Sequence, residues 1–470
     1  MDLFLFNTMS LKKEVFKPII EGEAGIYTCG PTVYNFAHLG NLRTFLFHDF
    51  LVRTLAYNGY KIKRVMNITD VGHLSGDMDM GEDKMEKGST REGRSAWDVA
   101  SYYTDAFKED MEVLNMITPD IYCRATDNIT EQISLVKTLE EKGYTYKISD
   151  GIYFDTSKFP EYNRLSHLPL EELKEGARVE RNPEKKNPTD FALWKFSPVD
   201  VKRQMEWDSP WGVGFPGWHL ECSAMSMKFL GSQRDIHCGG IDHINIHHTN
   251  EIAQSEAATG ETYFNYWLHG AFLNIAGGKK MAKSENNYLT VDNALIKKGI
   301  NPLAYRFATL QVHYRKPMEY SENNLRQAEQ GLNSLYRQIT ALGSEIGESG
   351  RGAKAEFMQA INDDLNMPQA LAVLFKILKS EMPLSAKLAS ALDFDRVLGL
   401  DLASAISRDN NSGERIELPE DIKSLLAARQ KARVEKNWER ADALRQELSE
   451  RGYIVTDGPE GQQVVPEKKS

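Results

Sequence analysis

Three short stretches of the sequence carry side chains whose types and spacing suit chemistry. The first reads CGPTVY from residue 29 and HLGN from residue 38. It places a thiol, Cys29, and an imidazole, His38, just before residues with helical periodicity. Because a helix N-terminus binds phosphate through its free N–H groups and its dipole, His38 and Asn41 are candidates for phosphate binding. Taken alone, His38 also fits a loop or a helix cap.

The second set of residues suits a metal ion. His247 and Glu251 are four residues apart, so on a helix they face the same way and offer one nitrogen and one carboxylate oxygen. Such a pair by itself is usually a solvated helix face. Cys29 and Cys222 add two thiols, and two thiols, an imidazole and a carboxylate form a donor set for zinc. We therefore predict one zinc ion per chain.

The third stretch, residues 277–284, reads GGKKMAKS. Lys280 and Lys283 are separated by two residues, and the hydroxyl of Ser284 follows them. A mobile loop of this kind can close on a triphosphate and neutralise the charge that builds up as pyrophosphate leaves. A basic surface turn is the alternative interpretation.

The elements around these residues predict a parallel α/β sheet. A short strand ends at Thr28, a helix runs from near His38 to Asn58, and a second strand follows at residues 65–70. Ligands bind such sheets at the carboxyl ends of the strands. Residues 71–95 are so polar and glycine-rich that we predict a mobile loop there, followed by helices at 96–114 and 129–142 and a β-hairpin at 144–154.

The fold class predicted is α/β: a Rossmann-type doubly wound parallel sheet with an inserted connective domain, then an α-helical bundle and a small C-terminal module. Apolar residues spaced by three and four predict the bundle: Leu325, Ala328, Leu332, Leu335, Ile339 and Leu342. Arg408–Gly413 is predicted to be a linker. The expected boundaries are 1–120 and 208–275 for the two halves of the sheet, 121–207 for the insertion, 276–320 for the lysine loop and its flank, 321–407 for the bundle, and 414–470 for the C-terminal module.

Composition narrows the class of protein. The 470 residues are 41% hydrophobic, and no stretch approaches the ~18 apolar residues that a membrane span needs. We therefore expect a cytoplasmic protein without a membrane partner, and a monomer, since no large apolar surface is indicated. The four cysteines form no CxxC pair, which argues against a disulfide framework. A net charge of −10 argues mildly against a nucleic-acid partner, although local basic faces on an acidic body can bind RNA.

Taken together, these stretches resemble the cysteinyl-tRNA synthetases, a family of class I aminoacyl-tRNA synthetases. HLGN at 38–41 resembles the "HIGH" motif, and residues 280–284 resemble the "KMSKS" loop. The similarity covers nearly the whole chain and includes NITD at 67–70, SPWG at 209–212, GWHLECSAM at 217–225, NEIAQS at 250–255, HYR at 313–315 and DDLN at 363–366.

The resemblance implies activation of L-cysteine with ATP and Mg²⁺, followed by transfer of cysteine to the 3′-terminal adenosine of tRNA(Cys). It also implies a role for each matching residue. The catalytic residues would be His38, Asn41, Lys280 and Lys283, with ATP contacts from the same four and from Gly40, Gly240, Asp242 and Ser284. The cysteine substrate would lie among Cys29, Gly30, Thr69, Trp218 and His237, zinc on Cys29, Cys222, His247 and Glu251, and tRNA on Arg433, Trp438 and Arg445.

Three residues depart from the family pattern. Asn41 stands where most members have a second histidine, Ala282 replaces the serine of the lysine loop, and Cys238 replaces the first of three glycines. No predicted metal ligand or loop lysine is lost, so these departures affect the expected rate more than the reaction.

Two other functions fit part of the pattern. A ligase that joins cysteine to an amino sugar would share the zinc and adenylate sites, but it would not need about 60 residues after the linker. A noncatalytic tRNA-binding or zinc-structural protein would need neither Lys280 and Lys283 nor His38.

Overall fold

The computed structural model describes residues 1–76, 80–169, 182–198, 202–275, 288–412, 419–435, 437–458 and 461–466. The chain divides into two compact units, Met1–Ala403 and Ser404–Ser470. The predicted lysine-loop residues Lys280, Lys283 and Ser284 lie outside the described residues.

The strands are, in chain order, β1 (Phe4–Asn7), β2 (Lys12–Val15), β3 (Glu23–Thr28), β4 (Lys61–Ile68), β5 (Leu74–Gly76), β6 (Met80–Asp83), β7 (Ile121–Arg124), β8 (Thr145–Ile148), β9 (Gly151–Phe154), β10 (Phe191–Phe196), β11 (Gly214–Pro216), β12 (Arg234–Gly240), β13 (Phe264–Gly270), β14 (Leu273–Ile275), β15 (Met318–Tyr320), β16 (Tyr453–Gly458) and β17 (Gly461–Pro466).

The helices are α1 (Leu39–Tyr57), α2 (Lys84–Glu92), α3 (Ala96–Val113), α4 (Ile129–Glu141), α5 (Trp218–Leu230), α6 (Thr249–Thr259), α7 (Val291–Ala294), α8 (Pro302–Leu310), α9 (Glu322–Thr340), α10 (Arg351–Asn362), α11 (Met367–Leu378), α12 (Leu384–Leu398), α13 (Leu402–Ser412), α14 (Glu420–Val434) and α15 (Trp438–Glu450). A single 3-10 turn, Ile241–His243, and a π turn, Ile244–His248, join β12 to α6.

The central sheet of the first unit has five parallel strands in the order β13-β12-β3-β4-β7. Along the chain, β3, β4 and β7 follow one another toward one edge of the sheet, and β12 and β13 then follow toward the other edge. The strand order therefore reverses between β3 and β12, which is where a doubly wound sheet opens a crevice at its carboxyl edge. This arrangement confirms the predicted α/β fold with a parallel sheet.

Helix α1 follows β3 as predicted. Its first turn is capped by a reciprocal pair: the Asn41 N–H donates to His38 Nδ1 at 3.0 Å, and the His38 N–H donates to Asn41 Oδ1 at 3.2 Å. Apolar residues such as Leu42 and Leu46 are fully buried against the sheet. The helix ends before Gly59, whose φ of 91° suits glycine.

An antiparallel sheet interrupts the parallel one, in the order β11-β10-β9-β8. The predicted hairpin at 144–154 is confirmed as β8 and β9. The insertion is shorter at its start than predicted, because β7 pairs in parallel with β4 in the central sheet. It also reaches past residue 207, since β11 pairs with β10.

The prediction of a mobile loop over residues 71–95 was wrong. The described part of this segment forms the hairpin β5–β6 and the helix α2. The Asp83 carboxylate caps α2 by accepting the N–H groups of Met85 and Glu86 at 2.7 and 3.0 Å, and Gly93 ends the helix at a φ of 63°. The N-cap and C-cap signals were present in the sequence, but the high polarity of the segment obscured them.

The helices α8–α13 form the predicted helical region. Leu325, Leu332 and Leu335 on α9 are buried, as their spacing indicated. The predicted linker at Arg408–Gly413 was wrong for most of its length, because α13 continues to Ser412. This helix starts at Leu402, which is buried and whose N–H donates a hydrogen bond to the Asp395 carboxylate at 2.8 Å. The low helix propensity of Asp, Asn and Ser costs only about 0.7 kcal/mol per residue at most, so a well-started helix can continue through them.

The beginning of the chain lies against the helical region. The Phe6 N–H donates to Asp364 Oδ1 at 2.8 Å, and the same carboxylate accepts the hydroxyl of Tyr314 and the guanidinium of Arg315, both at 2.7 Å. Asp364 is fully buried. Nearby, Thr8 Oγ1 lies 2.8 Å from His269 Nδ1, so residues 4–8 contact both the helices and the sheet.

The second unit contains most of α13, then α14, α15 and the hairpin β16–β17. Its core is Ile422, Leu426, Leu448 and Val455. This agrees with a small folded C-terminal module. Every helix in the described ranges is too short or too polar to cross a membrane.

A buried guanidinium joins three elements of the first unit. Arg306 on α8 donates to the Asp49 carboxylate of α1 at 2.6 Å, to the Leu398 carbonyl at the end of α12 at 2.7 Å, and to the Leu114 and Asn115 carbonyls after α3 at 3.1 and 3.0 Å. Both Arg306 and Asp49 are fully buried.

We expect Arg306→Met to lower the free energy of unfolding by about 3 kcal/mol or more, because Asp49 keeps only Arg53 and the Ile117 N–H, and the Leu398, Leu114 and Asn115 carbonyls lose their donor. Urea denaturation followed by circular dichroism measures this loss. Arg326→Met is the matched control, since Arg326 pairs with Glu322 on an exposed helix face, and exposed pairs contribute at most about 1 kcal/mol. Equal losses in the two variants would contradict the role given to Arg306.

Candidate active site and metal centre

A cleft of about 520 Å³ opens at the carboxyl ends of β3, β4 and β12. Its position matches the reversal of strand order in the central sheet. Ten residues predicted from the sequence line it: Cys29, Gly30, His38, Asn41, Thr69, Trp218, Cys222, Gly240, Asp242 and His247. Gly40, His237 and Glu251 lie next to the cleft without lining it.

The start of α1 forms one side of the cleft. Because His38 Nδ1 accepts the Asn41 N–H, a neutral His38 ring carries its proton on Nε2 and can donate it to a ligand. Burial lowers the pKa of His38, which favours this neutral form. Asn41 therefore has a structural role: its amide closes the cap that holds the His38 ring. The His38 ring also lies edge-on to Tyr288, with ring centres 5.4 Å apart.

The floor of the cleft holds the predicted metal ligands. The ligand atoms of Cys29, Cys222, His247 and Glu251 all lie within 4.8 Å of one another, and all four residues are buried. In a tetrahedral zinc site with bonds of 2.0–2.3 Å, ligand atoms lie about 3.6 Å apart. The four side chains are therefore close enough to bind one ion.

Glu251 and His247 show the contact expected of two ligands of one ion. Glu251 Oε1 lies 3.0 Å from His247 Nε2, yet this buried oxygen makes no hydrogen bond. Burial alone would raise the pKa of Glu251, but the neighbouring His237 and His247 rings lower it far below its usual value. Burial would likewise lower the pKa of His247, but the Glu251 carboxylate and the Cys222 thiol raise it to about 10. The charges of this cluster thus favour a bound cation.

A second donor set overlaps the first. Cys29, His237, His248 and Glu251 also bring their ligand atoms within 4.8 Å of one another. However, His237 and His248 do not line the cleft, whereas Cys29, Cys222 and His247 do. A catalytic zinc keeps one position open to substrate. The geometry therefore favours the set predicted from the sequence.

A layer of histidines supports these ligands from below. His219 Nδ1 lies 3.0 Å from His247 Nδ1, and His248 Nδ1 lies 2.8 Å from His269 Nε2. Burial lowers the pKa values of His219, His248 and His269, so these rings are neutral. Tyr263 donates its hydroxyl to Glu251 Oε2 at 3.1 Å. Sequence reasoning missed this layer, and the consecutive pair His247-His248 was the only signal for it.

His237 occupies a different place from the one expected. It is fully buried, its Nε2 lies 3.0 Å from Glu251 Oε2, and its ring stacks on Trp267 with centres 4.8 Å apart. It lies behind the predicted metal ligands, so a direct contact with the cysteine substrate stays a prediction. Trp218, by contrast, lines the cleft with its ring centre 4.0 Å from that of His247.

Close backbone approaches explain the glycines. A Cβ on Gly30 would lie 1.8 Å from the Asn67 carbonyl oxygen, and one on Gly240 would lie 2.3 Å from Asp242 Oδ1. A Cβ on Gly239 would meet the His243 and His248 rings at 2.6–2.7 Å. Cys238, in contrast, is buried and does not line the cleft. The departure at residue 238 therefore leaves the cleft surface unchanged.

Two of the predicted tRNA-binding residues lie on the surface of the second unit. Trp438 is 59% exposed at the start of α15, and Arg445 is exposed on the same helix. Arg433 is half-buried near the end of α14. Their contact with RNA stays a prediction.

Family models match three parts of the chain. Residues 15–330 match a model described as the tRNA synthetases class I (C) catalytic domain. Residues 356–380 match the DALR domain, and residues 415–464 match a cysteinyl-tRNA ligase anticodon binding domain.

Whole-length relatives have the same description. The chain is 48% identical to cysteine–tRNA ligase 1 of Burkholderia lata over 99% of this chain and 97% of that protein, and 43% identical to the cysteine–tRNA ligase of Treponema denticola over 97% and 98%. Among solved structures, a Mycobacterium tuberculosis methionyl-tRNA synthetase bound by methionyl-adenylate covers 82% of this chain and 91% of its own, with a TM-score of 0.53 at 14% identity. This last likeness shows the fold. From the family models and the full-length relatives, the chain belongs to the cysteinyl-tRNA synthetase family of class I aminoacyl-tRNA synthetases.

Proposed function

We propose that this chain activates L-cysteine with ATP and Mg²⁺ to cysteinyl-adenylate and then transfers cysteine to the 3′-terminal adenosine of tRNA(Cys). One observation carries the proposal. The same cleft combines a capped helix N-terminus, suited to phosphate, with two thiols and an imidazole, and the Glu251 carboxylate next to the cleft completes a donor set that fits one zinc ion. The relatives named cysteine–tRNA ligase support the same reaction.

The phosphate end of the cleft would stabilise the transition state of the first step. The cysteine carboxylate attacks the α-phosphorus in line, and negative charge builds up on the phosphate oxygens. His38 donates its Nε2–H to that charge, and the first N–H groups of α1 add their dipole. Asn41 keeps the ring in place through the cap. Lys280, Lys283 and Ser284 would close over the β- and γ-phosphates, while Gly40, Gly240 and Asp242 contact ATP.

The other end of the cleft would hold the amino acid. Zinc bound by Cys29, Cys222, His247 and Glu251 is a borderline-soft ion that favours a thiolate over an alcohol. Gly30 and Thr69 lie beside this site, and Trp218 limits its size next to His247. Without a metal, cysteine and serine are near-isosteres that a pocket separates by only about 10². The donor set is therefore the proposed source of selectivity.

The remaining parts of the chain would contact tRNA. We assign residues 276–320 to the lysine loop and the acceptor stem, 321–407 to a supporting bundle, and 414–470 to anticodon recognition through Arg433, Trp438 and Arg445. The match of residues 415–464 to an anticodon-binding model disfavours a ligase for amino sugars. We further propose a cytoplasmic monomer.

The zinc assignment predicts a loss of metal with one substitution. Elemental analysis of the purified protein should give about one zinc per chain, and Cys222→Ser should lose it because a neutral alcohol replaces a thiolate ligand. Cys238→Ser is the matched control, since Cys238 is equally buried but belongs to neither donor set. His248→Gln separates the two sets and should retain zinc.

The same experiment extends to substrate choice. Cysteine-dependent ATP–pyrophosphate exchange should greatly exceed serine-dependent exchange in the wild type. Retained preference of several orders of magnitude in a metal-free protein would refute the proposed role of zinc.

The lysine loop predicts a loss of activity without a loss of stability. Lys283→Ala should slow cysteine-dependent pyrophosphate exchange by roughly 10²–10³-fold, because one preorganised charge is removed from the transition state. Lys279→Ala, in the same stretch, should change the rate much less. Thermal unfolding should give nearly the same midpoint for both. Near-normal exchange in Lys283→Ala would show that this loop has been misassigned.

The division of the chain predicts that the two steps can be separated. Truncation after Ser412, at the end of α13, should retain cysteine-dependent pyrophosphate exchange, because the cleft lies wholly in the first unit. Charging of tRNA(Cys) should fall by at least tenfold with the loss of anticodon contacts, since 1.4 kcal/mol is already a factor of ten. Full charging by the truncated protein would contradict the anticodon assignment.

A further inference from the structure

One side of the cleft is formed by a helix to which neither the sequence nor the proposed function gives a role. Lys84, Lys87 and Arg91 on α2 all line the cleft. They are three and four residues apart, so they share one face of the helix over about 10 Å of its length. Gly88 lines the cleft between them, and a Cβ there would lie 3.3 Å from Val99 of α3, while Met85 is buried.

The cationic face is held firmly in place. Arg91 Nη2 donates to the Tyr34 carbonyl at 3.1 Å and to the Tyr103 hydroxyl at 3.2 Å. The Lys84 ammonium lies 5.7 Å from the centre of the Tyr34 ring. Since the whole chain carries a net charge of −10, a cationic face at the cleft is a local departure from the average.

Exposed aromatic rings continue this face at the edge of the cleft. Phe36, which lines the cleft, is 37% exposed, and Tyr102 on α3 is 44% exposed. Their ring centres are 6.0 Å apart, and the Arg94 guanidinium lies 5.2 Å from the centre of the Tyr102 ring. Cations that follow a groove, next to rings on which bases can stack, are the usual features of single-strand binding sites.

We infer that this surface, formed by Lys84, Lys87, Arg91, Phe36 and Tyr102, binds the single-stranded 3′ end of the tRNA as it enters the cleft. The inference rests on the proposed tRNA substrate. Charge complementarity supports it, because Lys84 and Lys87, together with Arg91, which is paired with Glu92 at 2.6 Å, extend over a length that suits successive backbone phosphates. Continuity supports it too, because the surface leads directly to the residues proposed to bind the adenylate. A triphosphate is the other phosphate ligand that these cations could bind, but it would leave the exposed Tyr102 ring, which does not line the cleft, without a stacking partner.

Direct binding tests the inference independently of activity. The probe is a fluorescein-labelled acceptor-stem minihelix of tRNA(Cys) ending in single-stranded CCA, compared with the same minihelix lacking those three nucleotides. In anisotropy titrations, Lys84→Gln/Lys87→Gln should weaken binding of the CCA probe about tenfold and reduce the salt dependence of log Kd by about 0.7 per lysine. Tyr102→Leu should weaken binding about fivefold or more without changing the salt dependence, because stacking contributes about 1–3 kcal/mol per base.

Lys61→Gln is the matched control. Lys61 is an exposed lysine paired with Glu23 at the amino end of β4, the end of the sheet opposite the cleft. The Lys61→Gln variant should bind both probes with the same Kd as the wild type. The shortened probe should bind the wild type and the double variant equally.

The outcomes separate the inference from the proposed function. The inference is overturned if the double lysine variant binds both probes equally more weakly than the wild type, or binds both as tightly as the wild type. A rise in the KM for ATP in pyrophosphate exchange, with unchanged Kd for the CCA probe, overturns it in favour of a triphosphate site. A wild-type protein that binds the CCA probe through these residues but does not charge tRNA supports the inference and refutes the proposed function.

Discussion

The buried carboxylate of Glu251 is the constraint on which the catalytic region depends. A carboxylate without water must be compensated by nearby positive charge and hydrogen-bond donors, because an unpaired buried charge is very costly. His237 of β12, His247 of the π turn and Tyr263 before β13 all lie within about 3 Å of its oxygens. One side chain therefore ties together the elements on one side of the strand reversal. His247 of the π turn lines the cleft, while Glu251 lies on the first turn of α6.

The two ends of the cleft are built by different physics. At the metal end, buried charges and thiols hold their positions through one another. At the phosphate end, a helix cap holds the side chains in place: His38 and Asn41 depend on each other through two hydrogen bonds. The motif residue that departs from the family pattern is thus part of the cap itself. Glycines 30 and 239 lie between the two ends, where a Cβ would meet the Asn67 carbonyl or the His243 and His248 rings.

The sequence predicted those features that depend on local pattern. Alternating and helical periodicity located β3, α1, β4 and α9, and the thiol, imidazole and carboxylate pattern identified one of the two donor sets that the structure brings together. Features with competing local signals were missed. Helix α2 was predicted to be a loop because its sequence is so polar, and α13 continues through residues that usually form linkers. Long-range relations were also missed. The place of His237 behind Glu251, and the contact of Thr8 with His269, follow from the packing of segments that are distant in sequence.

The contact between Phe6 and Asp364 also affects how the chain is made. A ribosome releases residue 6 long before residue 364, and synthesis proceeds at about 5–20 residues per second. The first strand must therefore wait tens of seconds for the carboxylate that accepts its N–H group. During that time β1, whose Leu5 is fully buried in the folded protein, lacks the bridge of Phe4 to Asp363 and the hydrogen bond of Phe6 to Asp364. Strand β1 is thus among the last parts of the catalytic unit to reach its final place, although it precedes the strands of the central sheet along the chain.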